Sequence, residues 1–358
     1  MIKANSNIES MAAYALPDIS TPEGVPPIIL AQNEHVYPPS LKVQQAIAAA
    51  VVDGNLYPDA DWCALRAVIA KEHSIDPDRI LCGSGSMELM LFLSLAYLSA
   101  KDRILISEYG YLFMRTLAKM TAATIDIAAE PDYRVDVDLM LAQVRDDTRL
   151  VFVVNPGNPT GTVIANDDIR RLRAALDDDI ILLIDEAYAE YVDPAFNTPL
   201  FDLVEQGNTV ITRTFSKIYG LAGMRVGWGY FPDAIRDNMR KMLNPNNVSL
   251  LSQVAAQTAM EDHAAMLDAH RQIAEQRDVL SMGLAELGIK AIPSQTSFVL
   301  ADFEDPQHAD SAFKFLRAAG IVVRPMGGYG LPGCLRITVG KAEHMQQTIA
   351  TLKQWQEQ

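Results

Sequence analysis

The sequence predicts an α/β fold built on a mostly parallel sheet, and three observations predict it. Short apolar runs alternate with helical stretches between about residues 41 and 245. The runs are continuously apolar, as is typical of strands buried on both faces. After about residue 290 the pattern changes to short strands around one helix. We therefore expect an N-terminal arm at 1–40, a large domain at 41–260 and a smaller α+β C-terminal domain at 261–358.

The arm is predicted from its prolines. Six prolines lie within residues 17–39. Proline fixes φ and lacks a backbone N–H, so a long helix is excluded and extended chain is favoured. We expect this segment to lie over the rest of the protein.

The elements of the two domains follow from apolar runs and their spacing. In the large domain, the strand-like runs are 103–106, 150–154, 180–184 and 210–212, with helices between them such as Met87 to Ser99 and Asp167 to Leu176. A helical stretch at 250–287, interrupted near His263, leads into the small domain. There we expect strands at 296–301, 320–324 and 334–339, a helix at 310–319 and a final helix from Ala342.

Composition and charge exclude several classes of function. The formal net charge is −15, and an acidic surface repels nucleic acid and anionic lipid. The longest apolar stretch, Leu89 to Leu98, is too short for a membrane span. The three cysteines are scattered and the N-terminus has no apolar signal region, so we expect a cytoplasmic protein with reduced thiols. The six histidines form no metal-ligand motif, so no metal is expected.

Polar groups follow four of the predicted strands. Ligands of an open α/β sheet bind beyond the carboxyl ends of its strands. The first of these strands is a further short apolar run at 80–82. The four segments at the strand ends are Gly83–Glu88, Asn155–Gly161, Asp185–Tyr188 and Arg213–Arg225. Together they present a glycine/serine turn, an amide, a carboxylate with a phenol, and a lysine with an arginine.

Each of these groups alone has an ordinary structural explanation. The turn before Ser86 could be a tight turn with a capped helix, and it matches neither the Rossmann nor the Walker pattern. Asp185 could cap a helix, and Asn158 could be a turn residue between prolines.

Lys217 decides between these explanations. It follows a strand and precedes a glycine-rich stretch with Arg225 eight positions later. A lysine near another cation in an apolar site has a lowered pKa, and its free amine can attack a carbonyl. Pyridoxal phosphate needs an amine, an acid for its ring nitrogen, donors for its phenolate oxygen and a phosphate cradle. The residues that can supply these are, in turn, Lys217; Asp185; Asn158 with Tyr188; and Ser86, Ser216 and Arg225.

Three motifs carry a family resemblance. They are Arg-Thr-Phe-Ser-Lys-Ile-Tyr-Gly-Leu-Ala-Gly-Met-Arg-Val-Gly at 213–227, Asn-Pro-Gly-Asn-Pro-Thr-Gly at 155–161 and Asp-Glu-Ala-Tyr-Ala-Glu-Tyr at 185–191. The chain resembles the class I/II aminotransferases of the fold-type-I pyridoxal-phosphate superfamily, most closely the histidinol-phosphate aminotransferase branch. The resemblance implies a seven-stranded sheet in a large pyridoxal-phosphate-binding domain. It also implies amino-group transfer between an amino acid, or an amino-alcohol phosphate, and a 2-oxo acid.

The resemblance implies roles for individual residues. Asp185 would hold the ring nitrogen protonated, and Lys217 would hold the cofactor and carry the substrate α-proton, with Tyr188 as a further catalytic residue. The other expected cofactor-binding residues are Gly85, Ser86, Met87, Tyr111, Asn158, Ser216, Arg225 and, from the neighbouring subunit of a homodimer, Tyr57. The expected substrate-binding residues are Arg336, which would grip the α-carboxylate, with Arg324, Tyr14 and Asn33.

Departures from the family pattern leave the substrate open. Either Tyr109 or Tyr111 could stack on the cofactor, and position favours Tyr111. The segments Asn33-Glu-His35-Val and Ser297-Phe298 differ from the histidinol-phosphate branch, so a histidinol-phosphate-like or an aromatic substrate is possible. Two alternative functions remain: a decarboxylase or lyase of the threonine-phosphate decarboxylase type, and a non-enzymatic cofactor-binding sensor.

Overall fold

The N-terminal part of the chain contains little regular structure, as its prolines predict. The computed structural model describes residues 2–13, 18–193 and 199–358. The first elements are α1 (Ser6–Glu9), β1 (Ile28–Ile29), α2 (Leu41–Ala50) and α3 (Cys63–His73). Helix α1 has only four residues, and β1 only two, so the described part of the arm is mainly irregular and, as expected, contains no long helix.

A seven-stranded sheet forms the centre of the protein. Its strands and the helices between them are β2 (Ile80–Gly83), α4 (Ser86–Tyr97), β3 (Arg103–Ser107), α5 (Phe113–Thr121), β4 (Thr124–Ala128), α6 (Val137–Leu141), β5 (Thr148–Val154), α7 (Asn166–Ala175), β6 (Ile181–Asp185), α8 (Phe201–Gln206), β7 (Thr209–Thr214), β8 (Gly227–Tyr230), α9 (Asp233–Arg240) and α10 (Leu250–Glu261). The strand order is β2-β8-β7-β6-β5-β3-β4. Strand β8 is antiparallel to both neighbours, and the other pairs are parallel. The predicted α/β fold with a mostly parallel sheet is confirmed.

The central strands are buried along their whole length. Every residue of β6 and of β7 is buried, so the sheet is covered on both faces there. This burial explains the continuous apolar runs, because neither face of such a strand meets water. All four predicted runs overlap with the strands β3, β5, β6 and β7.

The remaining elements form a second, smaller sheet with its helices. They are α11 (His263–Glu286), β9 (Lys290–Ala291), β10 (Phe298–Asp302), α12 (Pro306–Ala318), β11 (Ile321–Val322), β12 (Arg324–Met326), β13 (Leu331–Thr338) and α13 (Ala342–Gln356). Strands β12, β13, β10 and β9 pair in that order, all antiparallel. The break between α10 and α11 falls at Asp262, which confirms the interruption predicted near His263.

The arm pairs with the C-terminal part of the chain in a separate two-stranded sheet. Strand β1 pairs in parallel with β11, and the carbonyl of Leu30 accepts a hydrogen bond from the backbone N–H of Thr338 at 2.9 Å. The following residues, 31–34, cross between the two sheets before α2 begins. This path places the arm beside the ends of the central strands.

The buried core has two main parts. One large cluster of buried side chains runs from Val43 to Met260, and a second is built mostly from residues between Ala269 and Leu352. This distribution supports the division of the chain at residues 40 and 260, which we keep as a proposal. In the described ranges, no helix combines the length and the apolar character that a membrane crossing requires.

Candidate active site

A pocket opens at the carboxyl ends of β5, β6 and β7, beside the start of α4. Its volume is about 510 Å³. It is lined by ten of the residues that the sequence predicts for the cofactor: Gly85, Ser86, Met87, Tyr111, Asn158, Asp185, Tyr188, Ser216, Lys217 and Arg225. The pocket therefore brings together Tyr111 and groups from all four of the segments predicted at the strand ends.

Asp185 is the buried acid of the pocket. It is the last residue of β6, and its Oδ1 accepts a hydrogen bond from Thr212 Oγ1 at 3.3 Å. Burial raises the pKa of Asp185 to about 7. A carboxyl group in this position would gain from a cationic partner, because burial penalises the lone charge.

Lys217 supplies the amine. It follows β7 at the end of the turn Phe215–Ser216, and its Nζ donates a hydrogen bond to the carbonyl of Asn33 at 3.3 Å. Burial, together with the nearby charge of Arg336, lowers the pKa of Lys217 to about 8. A substantial fraction of this side chain is thus a neutral amine at slightly alkaline pH, which is the nucleophilic form.

The turn between β2 and α4 forms an anion cradle with Arg225. Ser86 and Met87 occupy the first helical positions, whose N–H groups have no partner within a helix and favour an anion. Gly85 has φ 84°, and a Cβ added there would lie 2.7 Å from Arg225 Nη2. Arg225 Nη1 donates to Ser216 Oγ at 3.4 Å. Glycine at 85 therefore lets the guanidinium approach the turn. The Gly85 N–H already donates to the carbonyl of Gly83 at 2.7 Å. Gly85 therefore contributes its backbone conformation to the cradle rather than a donor to the anion.

Arg336 lies near Lys217 but outside the large pocket. Its Nη1 donates to Asn158 Oδ1 at 2.6 Å, and its Nη2 donates to the carbonyl of Ala31 at 3.1 Å. Its Nε is buried without a hydrogen-bond partner, and among the described residues it forms no ion pair. A buried guanidinium with free hydrogen-bonding capacity suits a carboxylate.

A smaller cavity adjoins the pocket on this side. Its volume is about 160 Å³. It shares Gln32, Tyr111, Asn158, Tyr188 and Lys217 with the large pocket and adds Ala31, Asn33, Arg324, Tyr329 and Arg336. We call it the arginine cavity, because Arg324 and Arg336 both line it. Two cationic side chains in one small cavity favour an anionic ligand.

Tyr188 and Asn33 form a fixed link between the two cavities. Asn33 Nδ2 donates to Tyr188 Oη at 2.9 Å, and Asn33 Oδ1 accepts from Thr338 Oγ1 at 3.2 Å. Burial raises the pKa of Tyr188 to about 12, so its hydroxyl stays protonated as a donor. The side chain of Asn33 is buried and makes both of these hydrogen bonds. Asn33 therefore stabilises the local structure as well as lining the site.

Two other tyrosines considered for the cofactor, Tyr57 and Tyr109, lie outside the pocket. Tyr57 is 88% exposed and lies in a surface depression with Leu56, Pro58 and residues 244–246 and 249–251. Tyr109 packs against Tyr133 with ring centroids 6.0 Å apart, whereas Tyr111 lines both cavities. This geometry favours Tyr111 as the stacking residue. Tyr14 lies outside the described residues.

Several lining residues escaped the sequence reasoning. Thr214 lines the pocket from the end of β7, and Thr212, two residues before it, donates a hydrogen bond to Asp185. The alternation of these threonines with Arg213 along the strand could have identified both. Gln32 and Glu34 line the pocket because of the path of the arm. Tyr329 reaches the arginine cavity from the turn between β12 and β13. The positions of these last three depend on contacts between distant segments, and no local pattern marks them.

The sequence matches the family of class I and II aminotransferases over residues 25–352. The chain belongs to this family. It is 41% identical to a histidinol-phosphate aminotransferase of Cereibacter sphaeroides over 311 residues, covering 87% of this chain and 86% of the relative. It is 39% identical to a histidinol-phosphate aminotransferase of Rhodospirillum centenum over 356 residues, covering 98% of both chains. The predicted resemblance and the prediction of an aminotransferase, hence an enzyme, are confirmed.

Solved structures of aminotransferases share the fold. A histidinol-phosphate aminotransferase from Sinorhizobium meliloti, in complex with pyridoxal-5'-phosphate, superimposes with a TM-score of 0.93 at 25% identity, covering 99% of this chain and 98% of that one. An aspartate aminotransferase from Thermus thermophilus gives a TM-score of 0.85 at 18% identity, covering 99% and 100%; this likeness concerns the fold alone. The cofactor predicted from the sequence is the one bound in the Sinorhizobium protein.

Proposed function

We propose that this aminotransferase uses pyridoxal phosphate to move an amino group from an amino acid or amino-alcohol phosphate to a 2-oxo acid. The observation that carries the proposal is the convergence in one pocket of an amine of lowered pKa, a buried acid and an anion cradle. These are Lys217, Asp185 and the turn that begins α4. No observation favours the decarboxylase or sensor alternatives over this activity.

The residues of the pocket fit pyridoxal phosphate group by group. The cradle of Ser86, Met87, Ser216 and Arg225 suits a phosphate, and Asp185 is a carboxyl without an ion-pair partner among the described residues. Asn158 and Tyr188 can donate to a phenolate oxygen, and Tyr111 offers an aromatic face. When bound, pyridoxal phosphate supplies an aldehyde for amines and an electron-withdrawing ring.

The residues of this chain then divide the work between them. Asp185 would keep the ring nitrogen protonated through a buried ion pair. Lys217 Nζ would hold the cofactor through its aldehyde, and as a free amine it would take the proton from the substrate α-carbon. Asn33 Nδ2 donates to Tyr188 Oη and would thereby orient the Tyr188 hydroxyl as a donor to the phenolate oxygen of the cofactor.

The arginine cavity would bind the substrate. Arg336 would hold the α-carboxylate or its equivalent with two parallel N–H donors. Arg324 would meet a second anionic group at the far end of the substrate. The curated relatives are histidinol-phosphate aminotransferases, which supports a phosphorylated donor, whereas Tyr111 and Tyr329 also provide surfaces for an aromatic one.

We also propose a homodimer with shared active sites and a cytoplasmic location. Tyr57 is 88% exposed, and three apolar side chains that closely precede it in the sequence, Val51, Val52 and Leu56, are 56%, 79% and 61% exposed. Apolar side chains clustered on a surface in this way are typical of a protein interface. A partner subunit seated there could receive Tyr57 at its own cofactor phosphate.

A screen of amino donors tests the proposed function. Purified protein loaded with pyridoxal phosphate is mixed with single donors, and the loss of the cofactor's lysine-bound absorbance is followed without any acceptor. Donors with two anionic groups, including histidinol phosphate, and aromatic amino acids should convert the cofactor to its amine form, and a 2-oxo acid should reverse the change. Release of carbon dioxide without that reversible change would contradict transamination.

A further inference from the structure

The first half of the phosphate-binding turn is held by two residues outside the pocket. Glu88, in the first turn of α4, folds back so that its Oε2 accepts the backbone N–H of Ser84 at 2.8 Å and Asn247 Nδ2 at 2.6 Å. Asn247 Nδ2 also donates to the carbonyl of Cys82 at 3.1 Å. Neither Glu88 nor Asn247 lines the large pocket or the arginine cavity. Their contacts are to the turn, on the side away from the ligand.

Asn247 is itself fixed on its other side. Its Oδ1 accepts a hydrogen bond from Trp62 Nε1 at 3.2 Å, and its carbonyl accepts one from Ser84 Oγ. Trp62 is buried in the large core. The side-chain amide therefore connects the turn to a rigid part of the protein, and we call Glu88 and Asn247 the clamp.

The turn needs such support because of its composition. Gly83, Ser84 and Gly85 have few conformational restraints of their own, and glycine loses the most backbone freedom on folding. A Cβ added at Gly83 would lie 3.1 Å from Glu88 Oε2 and 3.0 Å from Leu89 Cγ. Glycine at 83 thus leaves room for the carboxylate to reach Ser84, and the carboxylate in turn restrains the glycines.

The charge of Glu88 has two opposite effects. It interacts favourably with the N-terminal end of α4, but it would also repel a bound phosphate. Since Oε2 receives two N–H donors, an acceptor oxygen is what the clamp requires, and a neutral amide oxygen can take the same place. A Gln substitution therefore separates the hydrogen bonds from the charge.

We propose that Glu88 and Asn247 are positioning residues for the cofactor phosphate. They hold the turn so that the N–H groups of Ser86 and Met87 face the ligand before it binds, which reduces the entropy lost on binding. The inference rests on the proposed function, because it assumes that the turn receives the phosphate of pyridoxal phosphate.

Comparison of two ligands tests this inference. Equilibrium affinities for pyridoxal phosphate and for pyridoxal, which lacks the phosphate, are measured on the cofactor-free wild type and on the variants E88A, E88Q and N247A. Loss of the clamp should weaken pyridoxal phosphate binding by about 10- to 100-fold, the range for a hydrogen bond to a charged group. Binding of pyridoxal should change by less than about threefold, and E88Q should stay close to wild type.

E343A is the matched control. Glu343 is the exposed first-turn acid of α13, so it reports the general effect of removing a first-turn carboxylate. It should leave both affinities unchanged. If E88A does not fold, as judged by its thermal unfolding, N247A carries the comparison.

Two results would contradict the proposed role of the clamp in positioning the turn. One is an unchanged ratio of the two affinities in both E88A and N247A, and the other is an equal loss for both ligands. A wild type that does not prefer pyridoxal phosphate over pyridoxal would contradict the proposed function instead, so the two failures are distinguishable.

Discussion

The large pocket and the arginine cavity share a wall but are built in different ways. The groups of the large pocket each follow a strand end or open a helix, so short segments place them: Asp185 after β6, Lys217 after β7 and Ser86 at the start of α4. The arginine cavity combines the arm with side chains from β12, β13 and the turn between them. Local sequence thus positions the residues that would carry out the chemistry. The tertiary fold brings together the residues that would select the substrate.

The ionisable groups of the two regions also behave differently. In the large pocket burial shifts the pKa of Asp185 upward and that of Lys217 downward, both toward neutrality. In the arginine cavity burial lowers the pKa of Arg336, but a guanidinium remains charged in proteins. The first region is therefore suited to moving protons and the second to holding a fixed positive charge.

Substitution of Lys217 should have the largest effect. K217A removes the amine that holds the cofactor and moves the α-proton, so transamination should fall by about four orders of magnitude or more. Turnover of the best donor, measured with saturating cofactor, checks this. K241A, which removes an exposed lysine, is the control. Turnover by K217A close to that of K241A would contradict the assignment of the chemical step to the large pocket.

Substitution of Arg336 should be the next largest. R336A should reduce kcat/KM for the amino donor by the equivalent of about 2–5 kcal/mol, as for loss of one partner of a buried charge pair. The affinity for pyridoxal phosphate should change much less, because Arg336 lies in the other region. Cofactor titration and steady-state kinetics on the same preparation test this separation. An equal loss in kcat/KM and in cofactor affinity would contradict the assignment of Arg336 to substrate binding.

The raised pKa of Asp185 predicts a pH-dependent stability. Between pH 5 and 7 the folded carboxyl keeps a proton that the unfolded chain, with a pKa near 3.8, has released, so cofactor-free wild type loses stability as the pH rises. D185N lacks this titration. The free energy of unfolding of D185N minus that of the cofactor-free wild type should increase by about 2–3 kcal/mol from pH 5 to pH 7 and then level off. Urea unfolding of both proteins at several pH values measures it, and a constant difference would contradict the assigned pKa shift.

Arg324 should give the smallest and most selective effect. R324A should lower kcat/KM about tenfold for donors with a second anionic group, the equivalent of 1.4 kcal/mol. Donors with an uncharged aromatic side chain should be nearly unaffected, since they make no ion pair with Arg324. Kinetics with one donor of each type would show this difference. Equal effects on both would place Arg324 outside the substrate site.

The same contrast explains what the sequence could predict. The buried strands β5, β6 and β7 are continuously apolar, and the polar residues at their ends were found for that reason. Strand β4 was not predicted because it lies at the sheet edge, where Thr124 and Ile127 are exposed. Strand β8 contains Gly227 and Gly229, which weaken a strand pattern; a Cβ at Gly227 would lie 2.4 Å from Ser86 N, so glycine there serves the approach to the turn.

The substrate side was harder to predict. Arg336 and Arg324 were identified through the family resemblance, and nothing in their local sequence marks them as neighbours of Lys217. Gln32, Glu34 and Tyr329 were missed because their positions follow from the pairing of β1 with β11 and from the turn after β12. The clamp was missed for a similar reason, since Asn247 and Glu88 are 159 positions apart.

The position of the cofactor's covalent attachment tests the account most directly. Wild-type protein loaded with pyridoxal phosphate is reduced with borohydride, digested and mapped by mass spectrometry. The added cofactor mass should lie on the peptide that contains Lys217. An active preparation that carries this mass on another lysine, or on none, would contradict the central assignment.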